Sequence, residues 1–222
     1  MLTLKAQAAL ASFLLAGAAG AATTNGIANG GFEAPPPDGN WLAAGWMTAP
    51  TGNPVQWSSD AHSGSHSALL TVPKGDGASV LFQDSVGHGG LAPLGAANVG
   101  DTPTLSFWAK GDVGANGDLY LTLRYMGAAG GPVTAVAQHF SVSAGWTQHT
   151  FLSAAAVPAG ATSLFFELTS AAGAQVGGRV NAVYLDDVQF NLTTAPVPEP
   201  ETYALLIAGL GVVGAIARRR RA

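Results

Sequence analysis

The chain has no cysteine among its 222 residues, which excludes disulfides, thiol nucleophiles and cysteine-ligated zinc. Charge is scarce as well, at 10% of residues, and five of the nine basic residues are Lys5 and Arg218 to Arg221, at the two extremities. Between them stand only Lys74, Lys110, Arg124 and Arg179 against eleven carboxylates, a formal balance of −7. Binding a phosphate backbone needs clustered Lys and Arg, so a nucleic-acid partner is excluded. Carboxylates without basic partners suit a hard cation such as calcium instead.

The motifs of common enzymes are missing too. No Gly-x-Ser-x-Gly elbow occurs, and Asn29-Gly30-Gly31 lacks the Lys and helix that a phosphate cradle requires. His62 and His66 flank Ser63-Gly64-Ser65, a turn signal, so they do not share a helical face as zinc ligands; His88, His139 and His149 are scattered singly. Asp186 and Asp187 are neighbours whose side chains point to opposite faces of a strand, unlike the facing carboxylates of a glycosidase. The expectation is a protein that is not an enzyme.

What the body does contain is turn residues and short apolar alternations. Thirty glycines and thirteen prolines punctuate runs of period two, with no amphipathic helix of useful length and no internal repeat. In Asp118 to Met126, the residues Leu119, Leu121, Leu123 and Tyr125 share one face, and Tyr120, Thr122, Arg124 and Met126 the other. Further strands are predicted at Val55 to Ser58, Ser67 to Val72, Ser79 to Gln83, Thr104 to Lys110, Val133 to Val142, Trp146 to Leu152, Ser163 to Thr169 and Val180 to Asn191. Many short strands at this spacing predict an all-β, jelly-roll β-sandwich over residues 23–192.

Both termini read as addresses. Residues 1–22 have a basic start, an apolar run from Ala6 to Leu15 and small residues at Ala19-Gly20-Ala21, the pattern of a secretory signal peptide. At the other end, a Pro-rich linker (193–201) with Pro198-Glu199-Pro200 precedes an apolar stretch (202–217) and a basic tail (218–222). The apolar stretch is expected to be a transmembrane helix, short at roughly 24 Å, with the arginines held in the cytoplasm. This three-part tail resembles the PEP-CTERM sorting signal of Gram-negative bacteria. The resemblance implies processing by an exosortase at Pro198, Glu199 and Pro200, transient anchoring in the inner membrane, and delivery to the cell surface or extracellular matrix.

A second resemblance covers the body. Asn29-Gly30-Gly31-Phe32-Glu33 opens it and Val183-Tyr184-Leu185-Asp186-Asp187-Val188-Gln189-Phe190 closes it. Between them lie Ser58-Ser59-Asp60-Ala61-His62-Ser63-Gly64-Ser65-His66 and Leu105-Ser106-Phe107-Trp108-Ala109-Lys110-Gly111. In this order the segments resemble the jelly-roll carbohydrate-binding modules of the galactose-binding-domain-like fold. The family implies a structural calcium held by Glu33 and Asp186 with backbone oxygens of Gly31, His62 and Ser65. Strict alternation places Asp186 among Tyr184, Val188 and Phe190, where a carboxylate needs a partner, either a metal or backbone donors. A glycan site needs an aromatic platform beside hydrogen-bonding side chains. Trp108, Tyr120 and Arg124 are the candidates, on the polar faces of two successive strands expected to pair, whereas Trp146, opening a strand after Gly145, is expected in the core. Two functions remain open: an exported module binding glycan or exopolysaccharide, and a structural matrix protein working through protein contacts.

Overall fold

A computed structural model of the chain describes residues 23–36, 43–49, 51–72, 77–85, 91–111, 117–151, 155–171, 181–193 and 200–219. The expected signal peptide, Trp41, Pro198 and Glu199 lie outside the described residues.

Among the described residues, eleven strands form two antiparallel sheets. In chain order they are β1 (Thr23–Asn25), β2 (Met47–Thr48), β3 (Val55–Ser58), β4 (Ser67–Val72), β5 (Ala78–Asp84), β6 (Thr102–Gly111), β7 (Gly117–Gly127), β8 (Pro132–Val142), β9 (Thr147–Phe151), β10 (Ala161–Ala171) and β11 (Asn181–Thr193). One sheet runs β3-β4-β11-β6-β9, with β1 added to the far end of β11; the other runs β2-β5-β10-β7-β8. All nine predicted strands form. The two that alternation did not reveal are β1 and β2, only three and two residues long.

Alternation builds the core as predicted. Leu119, Leu121, Leu123 and Tyr125 of β7 are fully buried, facing Leu105, Phe107 and Ala109 of β6 and Leu185 of β11 across the sandwich. Each such aliphatic side chain stabilises the fold by roughly 1.5–3 kcal/mol relative to exposure. Tyr125 satisfies its hydroxyl by donating to the Ala155 carbonyl at 2.7 Å, and burial pushes its pKa up. Among the described residues, every buried residue of the core cluster lies between Ile27 and Phe190.

Two expectations about strands are corrected. β6 and β7 do not pair with each other: β6 lies between β11 and β9, and β7 between β10 and β8. Both turn an unbroken apolar face inward, and two such faces are buried together by stacking in different sheets. Second, the alternation of β11 breaks. Asp186 pairs with Trp108 and Gln189 with Ser106, so Asp187 and Val188 together oppose Phe107 alone. This is a β-bulge, with Asp187 at φ 49°. Asp186 therefore shares the outer face with Tyr184, while Val188 and Phe190 turn inward.

The tail forms one helix, α1 (Pro200–Arg219). The expected transmembrane helix at 202–217 is not supported: among the described residues no helix is long and apolar enough to cross a membrane. Its uncharged part has sixteen residues, diluted by Gly209, Gly211 and Gly214, and Arg218 and Arg219 follow directly. At about 1.5 Å per residue this falls short of a ~30 Å hydrocarbon core.

Candidate functional site

The outer faces of the two sheets present different chemistry. On the six-stranded sheet, the connection between β3 and β4, Ser59 to His66, lies against β11 and the opening segment. Asp186, fully buried, accepts the N–H groups of His62 (2.8 Å) and Ser63 (3.0 Å) at Oδ2 and that of Asp187 (2.7 Å) at Oδ1. Burial nevertheless pushes its pKa up, against the pull of the Ser63, Asp187 and His62 amides. Asp187 holds the same connection by side chains, accepting from Ser63 Oγ at 2.7 Å and meeting His62 Nδ1 at 2.7 Å. Glu33 Oε1 accepts the N–H groups of Ser65 and His66, each at 2.9 Å, and those two amides hold its pKa below the usual carboxylate value.

Two glycines make this possible. A Cβ on Gly30 would lie 2.0 Å from the Val188 carbonyl oxygen, and one on Gly64, at φ 63°, would lie 2.4 Å from Glu33 Oε1. Asn29, at φ 49°, clips the opening turn by donating to the Ala34 and Ala44 carbonyls and accepting from the Ala34 amide. The Phe32 ring beyond is fully buried against Trp46, itself fully buried and donating Nε1–H to the Asn29 carbonyl at 2.9 Å.

The structure thus brings Glu33, Gly31, His62, Ser65 and Asp186 into one neighbourhood. A Cβ on Gly31 would stand 3.6 Å from Asp187 Oδ1, 3.9 Å from Asp186 Oδ1 and 4.0 Å from Glu33 Cγ. Yet the carboxylates point at amide hydrogens, and among the described residues no three His, Asp or Glu side chains are grouped to hold a metal ion. As arranged, those amides engage both oxygens of Asp186 and Oε1 of Glu33.

Trp108 belongs to this region. Its ring stacks on His62 at 3.8 Å between centroids and 13° between planes. Beside it, Lys110 pairs with Asp60 and places Nζ 4.9 Å from the Tyr184 ring centre and 5.4 Å from that of Trp146. Trp146, expected in the core, is an outer-face residue, edge-on to His62 and Tyr184.

Tyr120 and Arg124 sit on the opposite side of the molecule from Trp108, because β7 and β6 belong to different sheets; the three do not form one face. The five-stranded sheet gives Tyr120 and Arg124 other companions. The Tyr120 ring, 39% exposed, leans on His139 at 4.9 Å, and His139 Nε2 lies 2.6 Å from Asp118 Oδ1. Two rows along, Arg124 Nη1 donates to Glu167 Oε2 at 3.1 Å while its guanidinium lies 5.2 Å from the Phe165 ring centre, and Phe165 stacks on Phe82. Glu167 Oε1 also accepts from Thr169 Oγ1. The register sets Glu167 between Phe82 and Thr122, and Phe165 between Asp84 and Arg124. At the end of this face a cavity of about 470 Å³ opens between Asp84, Met126, Ser163 and Phe165. Phe82, Phe165, Glu167 and His139 were not singled out from sequence, although each occupies an outward position of a predicted strand.

The match that decides the tail covers Pro196 onward. Residues 196–221 are a PEP-CTERM protein-sorting motif. The PEP-CTERM motif accounts for the tail alone, and no curated protein matches the chain. The body has the jelly-roll β-sandwich fold of carbohydrate-binding modules. It resembles the N-terminal tandem of family 22 carbohydrate-binding modules of Paenibacillus barcinonensis Xyn10C, with a TM-score of 0.52 and 17% identity over 83% of this chain and 48% of that one. The enzymatically active domain of tailspike protein 4 from bacteriophage CBA120 aligns with a TM-score of 0.54 and 19% identity, over 76% of this chain and 21% of that one. An arabinose-bound α-L-arabinofuranosidase aligns with a TM-score of 0.50 and 17% identity, over 79% and 27%. This chain thus spans less than half the length of each, and at these identities the likeness is one of fold.

Proposed function

We propose that the body binds polysaccharide on the outer face of the five-stranded sheet, after export and sorting of the chain through its PEP-CTERM tail. The observation that supports this reading is the Tyr120 ring, partly exposed between two hydrogen-bonding pairs, His139 with Asp118 and Arg124 with Glu167. A sugar ring has an apolar face for an aromatic ring and a hydroxyl edge for charged donors and acceptors. The cavity beside Phe165 has the size of a small-ligand pocket and would take a terminal sugar. No group in this reading performs chemistry on the sugar. Exosortase processing near Pro198-Glu199-Pro200 would release the body at the surface, or into the extracellular matrix, of a Gram-negative bacterium.

The test is retention of the body, residues 23–194, on a panel of immobilised polysaccharides. At least one should retain it, and Arg124→Ala should weaken that retention by about tenfold, the loss of one charge-assisted hydrogen bond. Retention on no glycan would end the reading. The structural calcium is a separate proposal, with the Glu33 and Asp186 carboxylates and backbone oxygens of Gly31, His62 and Ser65 as its donors. A melting midpoint unmoved by chelator would remove it, since binding to the folded state alone must raise stability. The alternative is a matrix protein acting through protein contacts without glycan binding.

A further inference from the structure

We propose that Glu167 sets the specificity of the five-stranded face: by pairing with Arg124 it cancels the positive charge there, so the face takes uncharged polysaccharides through their hydroxyls and turns away those that carry uronic acid. The inference rests on the glycan reading above and deepens it.

Strand order places the two charges together. β10 lies beside β7, with Glu167 opposite Thr122 and Phe165 opposite Arg124, so the carboxylate and the guanidinium come from adjacent strands in neighbouring outward rows. Arg124 Nη1 donates to Glu167 Oε2 at 3.1 Å, and the guanidinium lies 5.2 Å from the Phe165 ring centre. The second oxygen of Glu167 accepts from Thr169 Oγ1 at 2.9 Å, so the carboxylate is held at both ends. The Arg124 and Glu167 side chains are 36% and 18% exposed, half withdrawn from water yet within reach of a ligand. Farther along the face, His139 Nε2 meets Asp118 Oδ1 in the same way. Arg124 and His139 thus each face a carboxylate before any ligand arrives.

The chemistry that suits such a pair is a hydroxyl on each of two neighbouring sugar carbons. One hydroxyl donates to Glu167 while the other accepts from Arg124, and hydrogen bonds to charged partners are shorter and stronger than those between neutral groups. Neither charge loses its counter-charge. An ionised uronate, by contrast, has no hydrogen to give Glu167 and competes with it for Arg124, setting one negative charge beside another. Like charges brought together in this way are a common means of rejecting a wrong partner. The formal −7 of the body acts in the same direction at longer range. Without Glu167 the position would have the opposite preference, because the arginine fork matches the geometry of a carboxylate. One side chain therefore decides the charge of the ligand.

The test measures retention of the full chain, kept soluble by a detergent without sugar head groups, on an immobilised glucan, galactan and mannan. Each polymer is paired with the same polymer oxidised at its primary hydroxyls to uronic acid. The wild type should hold at least one neutral polymer and bind its oxidised form about tenfold less or weaker still, the worth of one hydrogen bond to a charged group. Glu167→Gln should narrow that gap by about tenfold, and its hold on the oxidised polymer should weaken as salt is added. Asp60→Asn removes one negative charge beside Lys110 of the other sheet and should leave the gap unchanged. If Glu167→Gln does not fold, Arg124→Gln reads the same contact: the gap should widen, since Glu167 is left without its counter-charge. A wild type that holds an oxidised polymer as well as its neutral parent overturns the proposal. So does a Glu167→Gln gap equal to that of the wild type or matched by Asp60→Asn, or an Arg124→Gln gap that fails to widen. Retention on no polymer of either kind overturns the glycan reading itself, and this inference with it.

Discussion

The outer faces of the two sheets use the same kinds of residue for opposite ends. Near β11, carboxylates, histidines and aromatic rings turn on one another. Asp186 and Glu33 accept five backbone N–H groups between them, His62 lies against Trp108 and Asp187, and Lys110 sits among Asp60, Tyr184 and Trp146. Across the sandwich, Tyr120, His139, Arg124 and Glu167 are paired side chain to side chain at partly exposed positions. A carboxylate bound to main-chain amides fixes a loop, because releasing it strands several donors at once. One bound to a neighbouring side chain near water can exchange that partner for a hydroxyl at small cost. The type of partner therefore separates the structural cluster from the available one.

That contrast can be broken at several points. The largest effect should come from Asp186→Ala, which strands three amide hydrogens beneath the His62 turn; stability in urea should fall by about 3 kcal/mol or more. A loss below about 1 kcal/mol would show that the turn holds without its anchor. Next comes the exchange of Trp108→Ala and Tyr120→Ala. The former should cost about 1–2 kcal/mol of stability and leave glycan retention unchanged. The latter should leave stability within about 0.5 kcal/mol and weaken retention roughly tenfold. The reverse pattern would move the ligand face to the six-stranded sheet.

The smallest effect concerns pH. His149 packs between Phe107 and Phe140, its Nε2 has no hydrogen-bond partner among the described residues, and burial lowers its pKa. A lowered pKa means that the neutral ring contributes stability above the ordinary histidine value, and that this is lost as pH falls below about 6.5. Melts of the wild type and His149→Phe between about pH 7 and 5 should show a shallower decline in the variant. Parallel declines would mean that the histidine charges freely.

The strands were legible because period-two alternation is a local property, written residue by residue in stretches such as Leu119 to Tyr125. Their assignment to sheets was not. β6 and β7 follow one another closely, and nothing in the residues between them distinguishes a turn within one sheet from a crossing to the other. The neighbourhood of Glu33, His62 and Asp186 was legible through family resemblance, whereas its hydrogen bonding was not, since amide donors carry no side-chain signature. Trp146 misled for a related reason: a tryptophan opening a strand reads as a core anchor, but here Tyr184 and Lys110 give it partners on the outside. The pairs Arg124 with Glu167 and His139 with Asp118 join residues 43 and 21 positions apart, which only the strand order brings together.

The bulge at Asp187 gives the His62 turn an anchor that the core does not need. With one residue fewer there, Val188 alone would oppose Phe107, alternation in β11 would be regular, and Val188 and Phe190 would keep their inward places. What would go is the side chain that accepts from Ser63 Oγ and meets His62 Nδ1. The fastening of the turn can therefore vary while the sandwich stays intact.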